Sequence, residues 1–162
     1  MDNFDDLQEW GECLDRLAEI DRSGTVDQHQ EGLVRLLRYP YNWQLRQAAL
    51  KSARNLESPT TEVIEEVFRI ASHGDGPLDE RLLALGTMSC LAERARSGVG
   101  ESSGKVLASI AERTEAMLAE PCAPVLQQAM RGCLTACGKA SGTNAELSNK
   151  PELPLDAEGA TT

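Results

Sequence analysis

The side chains best suited to chemistry in this sequence lie in one island. Residues 32–56 carry Arg35, Arg38, Arg46, Lys51 and Arg54 and no acid, a net charge of +5. The flanks are acidic, with net charges of −8 over residues 1–31 and −6 over residues 57–80. The island also holds Tyr39, Tyr41 and Trp43, in a chain only 4% aromatic. Arg, Tyr and Trp are the types most enriched at interface hot spots. The turn Arg38-Tyr39-Pro40-Tyr41-Asn42-Trp43 is therefore the leading binding-site candidate, with Arg35 and Arg46 beside it. The internal alternative is that the arginines pair with the flanking acidic helices and the rings pack between helices, since surface ion pairs often carry no function. Glu62, Glu65, Glu66 and Arg69 share the outward face of the following helix. Such a cluster can hold calcium or meet a basic partner, or it can be the solvated side of an amphipathic helix. Glu62, Glu66 and Arg69 join the candidate protein-binding set.

Three other groupings resemble reactive sites and fall short. Ser103-Gly104-Lys105 suggests a phosphate-binding loop, but Val99 stands where the first glycine belongs and Val106 where Ser or Thr is required. Cys133 and Cys137, at i and i+4, face one way on a helix, yet a structural zinc site takes about four ligands. His29 and His73 are the only histidines, and burial of the two thiols is the simpler expectation. His73-Gly74-Asp75-Gly76 offers a base and an acid without an evident nucleophile. No catalytic residue, metal or cofactor is assigned.

The elements that must position these residues are all helical. The chain has 162 residues, 41% hydrophobic and 26% charged, which suits one domain with a real core. Phe4, Leu7, Trp10, Cys13, Leu14, Leu17 and Ile20 follow three-and-four spacing and predict a first amphipathic helix over 4–20. A second helix over 26–38 ends at Tyr39-Pro40, because proline disfavours helix at the residue before it. Asn42 caps a third helix using Leu45, Ala49, Ala53 and Leu56. Ser58-Pro59 predicts the start of a fourth, with Val63, Val67, Ile70 and Ala71 inward. A fifth spans 78–96, and a flexible Gly/Ser loop at 97–104 precedes a sixth at 105–119. A seventh covers 123–137 and stops at Gly138. No segment shows the period-two alternation of a strand. From residue 140 the pattern gives way to Ser, Gly, Pro, Glu and Thr, which predicts a flexible tail over 140–162 beside a folded domain over 1–139.

Compartment and partner class follow from charge and cysteines. Net charge is −10, which argues against general binding to the nucleic-acid backbone. The acidic start lacks the basic region of a secretory signal, and no apolar run is long enough to span a membrane. Five scattered cysteines then read as thiols in a reducing cytoplasm.

Helices three, five and seven look alike when superposed. Ala49, Ala84 and Ala129 coincide, each followed by Leu50, Leu85 or Met130, at offsets of 35 and 45 residues. A small residue recurring every second helix lets helical hairpins stack closely. The pattern Arg46-x-x-Ala49-Leu50-x-x-Ala53, repeated as Arg81-x-x-Ala84-Leu85-x-x-Met88, resembles the HEAT-like repeat family, of the short type related to phycobiliprotein lyase repeats. The resemblance covers residues 26–137 and is degenerate, with Leu126 where helix seven should carry the arginine. It implies an all-α fold, a short α-solenoid of about seven helices in antiparallel hairpins. Helices one and two, three and four, and five and six would pair, and helix seven would form a half-repeat. Most such proteins are scaffolds that bind other proteins along a curved face. The expected function is a small cytosolic adaptor, or an inhibitor of a basic protein partner. The alternatives are an enzyme or lyase-like chaperone component by family analogy, and nucleic-acid binding through residues 32–56. A homodimer through the far side of helix seven is also open.

Overall fold

The computed structural model describes Phe4, residues 7–98 and residues 101–139; the tail expected at 140–162 lies outside the described residues. Seven α-helices make up this part: α1 (Trp10–Ser23), α2 (Gln30–Arg38), α3 (Trp43–Ala53), α4 (Thr61–Ser72), α5 (Leu78–Ser97), α6 (Glu101–Leu118) and α7 (Pro124–Ala136). A short 3₁₀ turn, Val26–His29, leads into α2. No strand occurs among the described residues.

Local chemistry explains most of the boundaries. Gly24 at φ 69° and Gly138 at φ 83° take the left-handed conformation that stops α1 and α7. Asn42 Oδ1 accepts the N–H of Gln44 and of Leu45 and opens α3. Four expected boundaries move. Helix α1 starts at Trp10 rather than residue 4, with residues 7–9 outside it, and α2 starts at Gln30, after the 3₁₀ turn that occupies 26–29. Helix α4 starts at Thr61, capped by the Thr60 hydroxyl, which accepts Val63 N–H. Ser58 is not the cap: it lies two residues before Thr60, where Asp27 accepts the N–H of both Glu57 and Ser58. Helix α6 starts at Glu101, so Ser102, Ser103 and Gly104 are helical and most of the expected 97–104 loop is absent. Serine and glycine cost least in a first turn, whose N–H groups have no intrahelical partner.

The helices pack in a regular order. α1 lies on α3, α3 on α5 and α5 on α7, while α2 lies on α4 and α4 touches α6. Across these two sets, α2 packs on α3, α4 on α5, and α6 on both α5 and α7. Two expected pairings fail: α1 packs on α3 rather than on α2, and helix three pairs with α2 rather than with α4, joined to it through only four residues (39–42) against the seven (54–60) before α4. Leu45, Ala49, Leu50 and Ala53 of α3 and Ala84, Leu85, Met88 and Leu91 of α5 are fully buried at the centre. Of the small-residue series, Ala49 and Ala84 form a buried seam and Ala129 is half-buried. Thr87 Oγ1 donates across it to Leu50 O at 2.9 Å. Phe4 is buried against Gly32, where any Cβ would strike its ring.

The repeated arginines do the same work in each copy. Arg46 Nη1 donates back to Tyr39 O at 2.8 Å, just past the end of α2. Arg81 Nε donates back to Ala71 O at 3.0 Å, near the end of α4. Each guanidinium thus satisfies a carbonyl that a helix C-terminus leaves without a partner. Helix α7 has buried Leu126 at this register and no such link; Gln127 Nε2 instead donates to Cys122 O, in the connection just before α7, at 3.1 Å.

Candidate functional site

An exposed aromatic face lies on α1 and α3. The Asn42 cap fixes the start of α3 and puts Trp43 at its first position, while Trp10 begins α1. Because α1 packs on α3, both indoles border one shallow groove of about 340 Å³, floored by Leu14, Gln47, Ala48 and Lys51. Trp10 is 48% exposed and Trp43 56%, and Tyr41, two residues earlier, is 86% exposed. These include both tryptophans of the chain. Tyr41 stands edge-on to half-buried Tyr39, with ring centroids 5.7 Å apart and planes at 75°. Large aromatic rings left in water on one face are uncommon in an isolated domain and mark contact surfaces.

Behind the turn at 39–42 the arginines form a separate, polar network. Glu66, expected on a solvated face, is buried and bridges two of them: Arg38 Nε and Arg69 Nε each lie 2.7 Å from its carboxylate. Burial works against ionisation of Glu66, but hydrogen bonds from Arg69 and Arg38 outweigh it and hold the carboxyl below its usual value. Arg69 Nη2 also donates to Leu37 O, tying α4 to the end of α2. Arg46 forms a two-pronged pair with Glu80, Nε to Oε1 at 2.6 Å and Nη2 to Oε2 at 3.2 Å. Its side chain is 15% exposed and that of Glu80 7%. These groups surround a cavity of about 180 Å³ whose wall includes Arg38, Arg46, Arg69, Arg81, His73 and Glu80.

The nine candidate residues therefore separate. Tyr41 and Trp43 face solvent; Arg38, Arg46 and Arg69 turn to the cavity, and Glu66 lies beneath Arg38 and Arg69. Tyr39 is half-buried between the two regions. Arg35 and Glu62 are exposed, on α2 and α4. Sequence reasoning missed Glu80 and Arg81, although Arg81 occupies the register of Arg46 and could have been placed by it. It also counted Trp10 with the apolar stripe of helix one, whereas the buried stripe is Cys13, Leu17 and Ile20.

The remaining groupings are quieter. A broad groove of about 840 Å³ between the 54–58 segment and α5 has balanced charge, with Arg54 and Arg94 against Glu57 and Glu93. Cys133 is buried, its sulfur 3.6 Å from the Thr114 hydroxyl. A hydrogen bond with Cys133, together with burial, pushes the Cys137 thiol up. Among the described residues no three His, Cys, Asp or Glu gather to hold a metal, no hydrogen bond joins His73 to Asp75, and no helix is long and apolar enough to cross a membrane. Comparison with protein-family models, with curated proteins and with solved structures finds no match to this chain.

Proposed function

We propose that the chain is a non-enzymatic protein-binding module that engages a basic partner through the aromatic face of α1 and α3. One observation carries this reading: both tryptophans, each about half exposed, border the same shallow groove between α1 and α3. Trp and Tyr supply large contact area at low entropic cost, the property that makes them anchors. Partner charge follows from the start of α1, where Glu9, Glu12 and Asp15, close to Trp10 in sequence, are exposed, and from the net charge of −10. Opposite charge on the partner would speed encounter and fix orientation.

The scaffold is a short HEAT-like α-solenoid in the cytoplasm. Support comes from the main helix contacts among the described residues, which join neighbours one or two places along the chain, and from the backward-reaching Arg46 and Arg81. Five cysteines without a disulfide suit a reducing compartment. The test is capture from the source lysate with wild-type protein and with Trp10→Ser/Trp43→Ser. A stoichiometric basic protein retained by wild type and lost by the variant, at unchanged helical circular dichroism, supports the proposal. Equal retention by both overturns it. Concentration-dependent self-association that the variant abolishes would reassign the face to a homodimer.

A further inference from the structure

We propose that the cavity enclosed by Arg38, Arg46, Arg69 and Arg81 is a binding site for a tetrahedral dianion of the phosphate class, either free phosphate or a phosphate monoester. This site is distinct from the aromatic face and does not rest on the protein-binding reading.

Charge is the first argument. Four guanidiniums converge from the end of α2 and from α3, α4 and α5, against the two carboxylates of Glu66 and Glu80. Two positive charges remain uncompensated at one small, part-enclosed volume of about 180 Å³. A divalent anion would balance them.

Donor supply is the second. Four guanidiniums carry twenty N–H groups. The hydrogen bonds they make within the protein use eight of these. The bonds already made restrain Arg46 at three points and Arg69 and Arg81 at two each, which lowers the rotamer entropy left to lose on binding. Glu66 holds Arg38 and Arg69, Glu80 holds Arg46, and the Ala71 carbonyl holds Arg81.

Geometry is the third. The C-terminal ends of α2 and α4 would repel an anion through their exposed carbonyls. Here the carbonyls of Leu37, Tyr39 and Ala71 are each covered by a guanidinium, so arginine meets the cavity in their place. Guanidinium forks match both carboxylate and phosphate oxygens. Donors arriving from four helices suit the four oxygens of a tetrahedral anion better than the two coplanar oxygens of a carboxylate. His73 adds an imidazole to the wall.

The test is titration of the full chain with inorganic phosphate by calorimetry, at matched ionic strength in chloride, with acetate and O-phosphoserine as parallel arms. Phosphate is expected to bind one to one, with a dissociation constant on the order of millimolar or tighter. Arg38→Gln is the chosen variant, because Arg38 is 58% exposed and Glu66 keeps Arg69 without it. It should weaken phosphate binding about tenfold, the worth of one hydrogen bond to a charged group. Independently of any variant, phosphate should shift the Nε–H resonances of Arg38, Arg46, Arg69 and Arg81 and leave that of exposed Arg131 on α7 in place. Phosphate alone binding identifies a free-anion site, and O-phosphoserine binding as well identifies a monoester site; both support the proposal. Acetate binding as tightly as phosphate, phosphate indistinguishable from chloride, or shifts spread over all arginines would overturn it.

Discussion

Breaking the Arg46–Glu80 pair should unbalance the fold in a specific, reversible way. Arg46→Met leaves Glu80 in place with a side chain only 7% exposed and its bonded cation gone. Stranding one member of a buried ion pair costs about 3 kcal/mol. The link to Tyr39 O disappears as well, worth about 1 kcal/mol more. A domain of this size has a total stability of about 5–15 kcal/mol, so the variant should remain folded with a much lower urea midpoint. Replacing both partners, Arg46→Met with Glu80→Leu, removes the stranded charge, and apolar substitutes of similar volume are often neutral. The double variant should therefore be more stable than Arg46→Met alone, with an interaction energy of about 2 kcal/mol or more. Urea unfolding followed by helical circular dichroism measures all three proteins, and an unchanged denaturant slope confirms that only stability has moved. Single-variant losses under about 0.5 kcal/mol, or additive losses in the double, would refute the claim that this pair is desolvated and joins α3 to α5.

Two further predictions use the same unfolding assay. Glu66 has its carboxyl held below the ordinary 4.5, so the stability it contributes is complete above that value and is lost as pH falls beneath it; Glu66→Gln should flatten this acid limb of the urea midpoint, and an unchanged limb would count against the bridge to Arg38 and Arg69. Gly32→Ala should expel the Phe4 ring and cost about 1.5–3 kcal/mol, the burial energy of that side chain, whereas Gly86→Ala meets only the mobile end of Arg54 and should cost under about 1 kcal/mol.

Local rules carried the sequence reading a long way and failed where neighbours intervened. Asn42, Gly138 and the Tyr39-Pro40 stop were legible because caps and breakers act on their own turn of chain. Ser58 misled because Thr60, two residues on, takes the cap, while Ser58 is tied to Asp27, some thirty residues earlier. Ser102 to Gly104 read as loop because composition does not register that the first turn of a helix tolerates these residues. For the site, an acid-free arginine cluster between acidic flanks was visible, and with it the alternative of internal pairing. The particular pairs were not, since Arg38 with Glu66 and Arg46 with Glu80 form across 28 and 34 residues and depend on which helices lie side by side. Burial of Glu66 and Glu80 is likewise a property of the assembled helices. Trp10 fits the spacing of an inward stripe, and only the rotation of α1 against α3 turns it outward.

Collisional quenching of tryptophan fluorescence addresses the proposed binding face without any mutation, because Trp10 and Trp43 are the only indoles in the chain. Both should be open to acrylamide in the free protein. With the captured partner bound, and that partner's own emission subtracted, both should be shielded and their emission shifted to the blue. Quenching that stays the same in the complex would place the partner elsewhere and contradict the account.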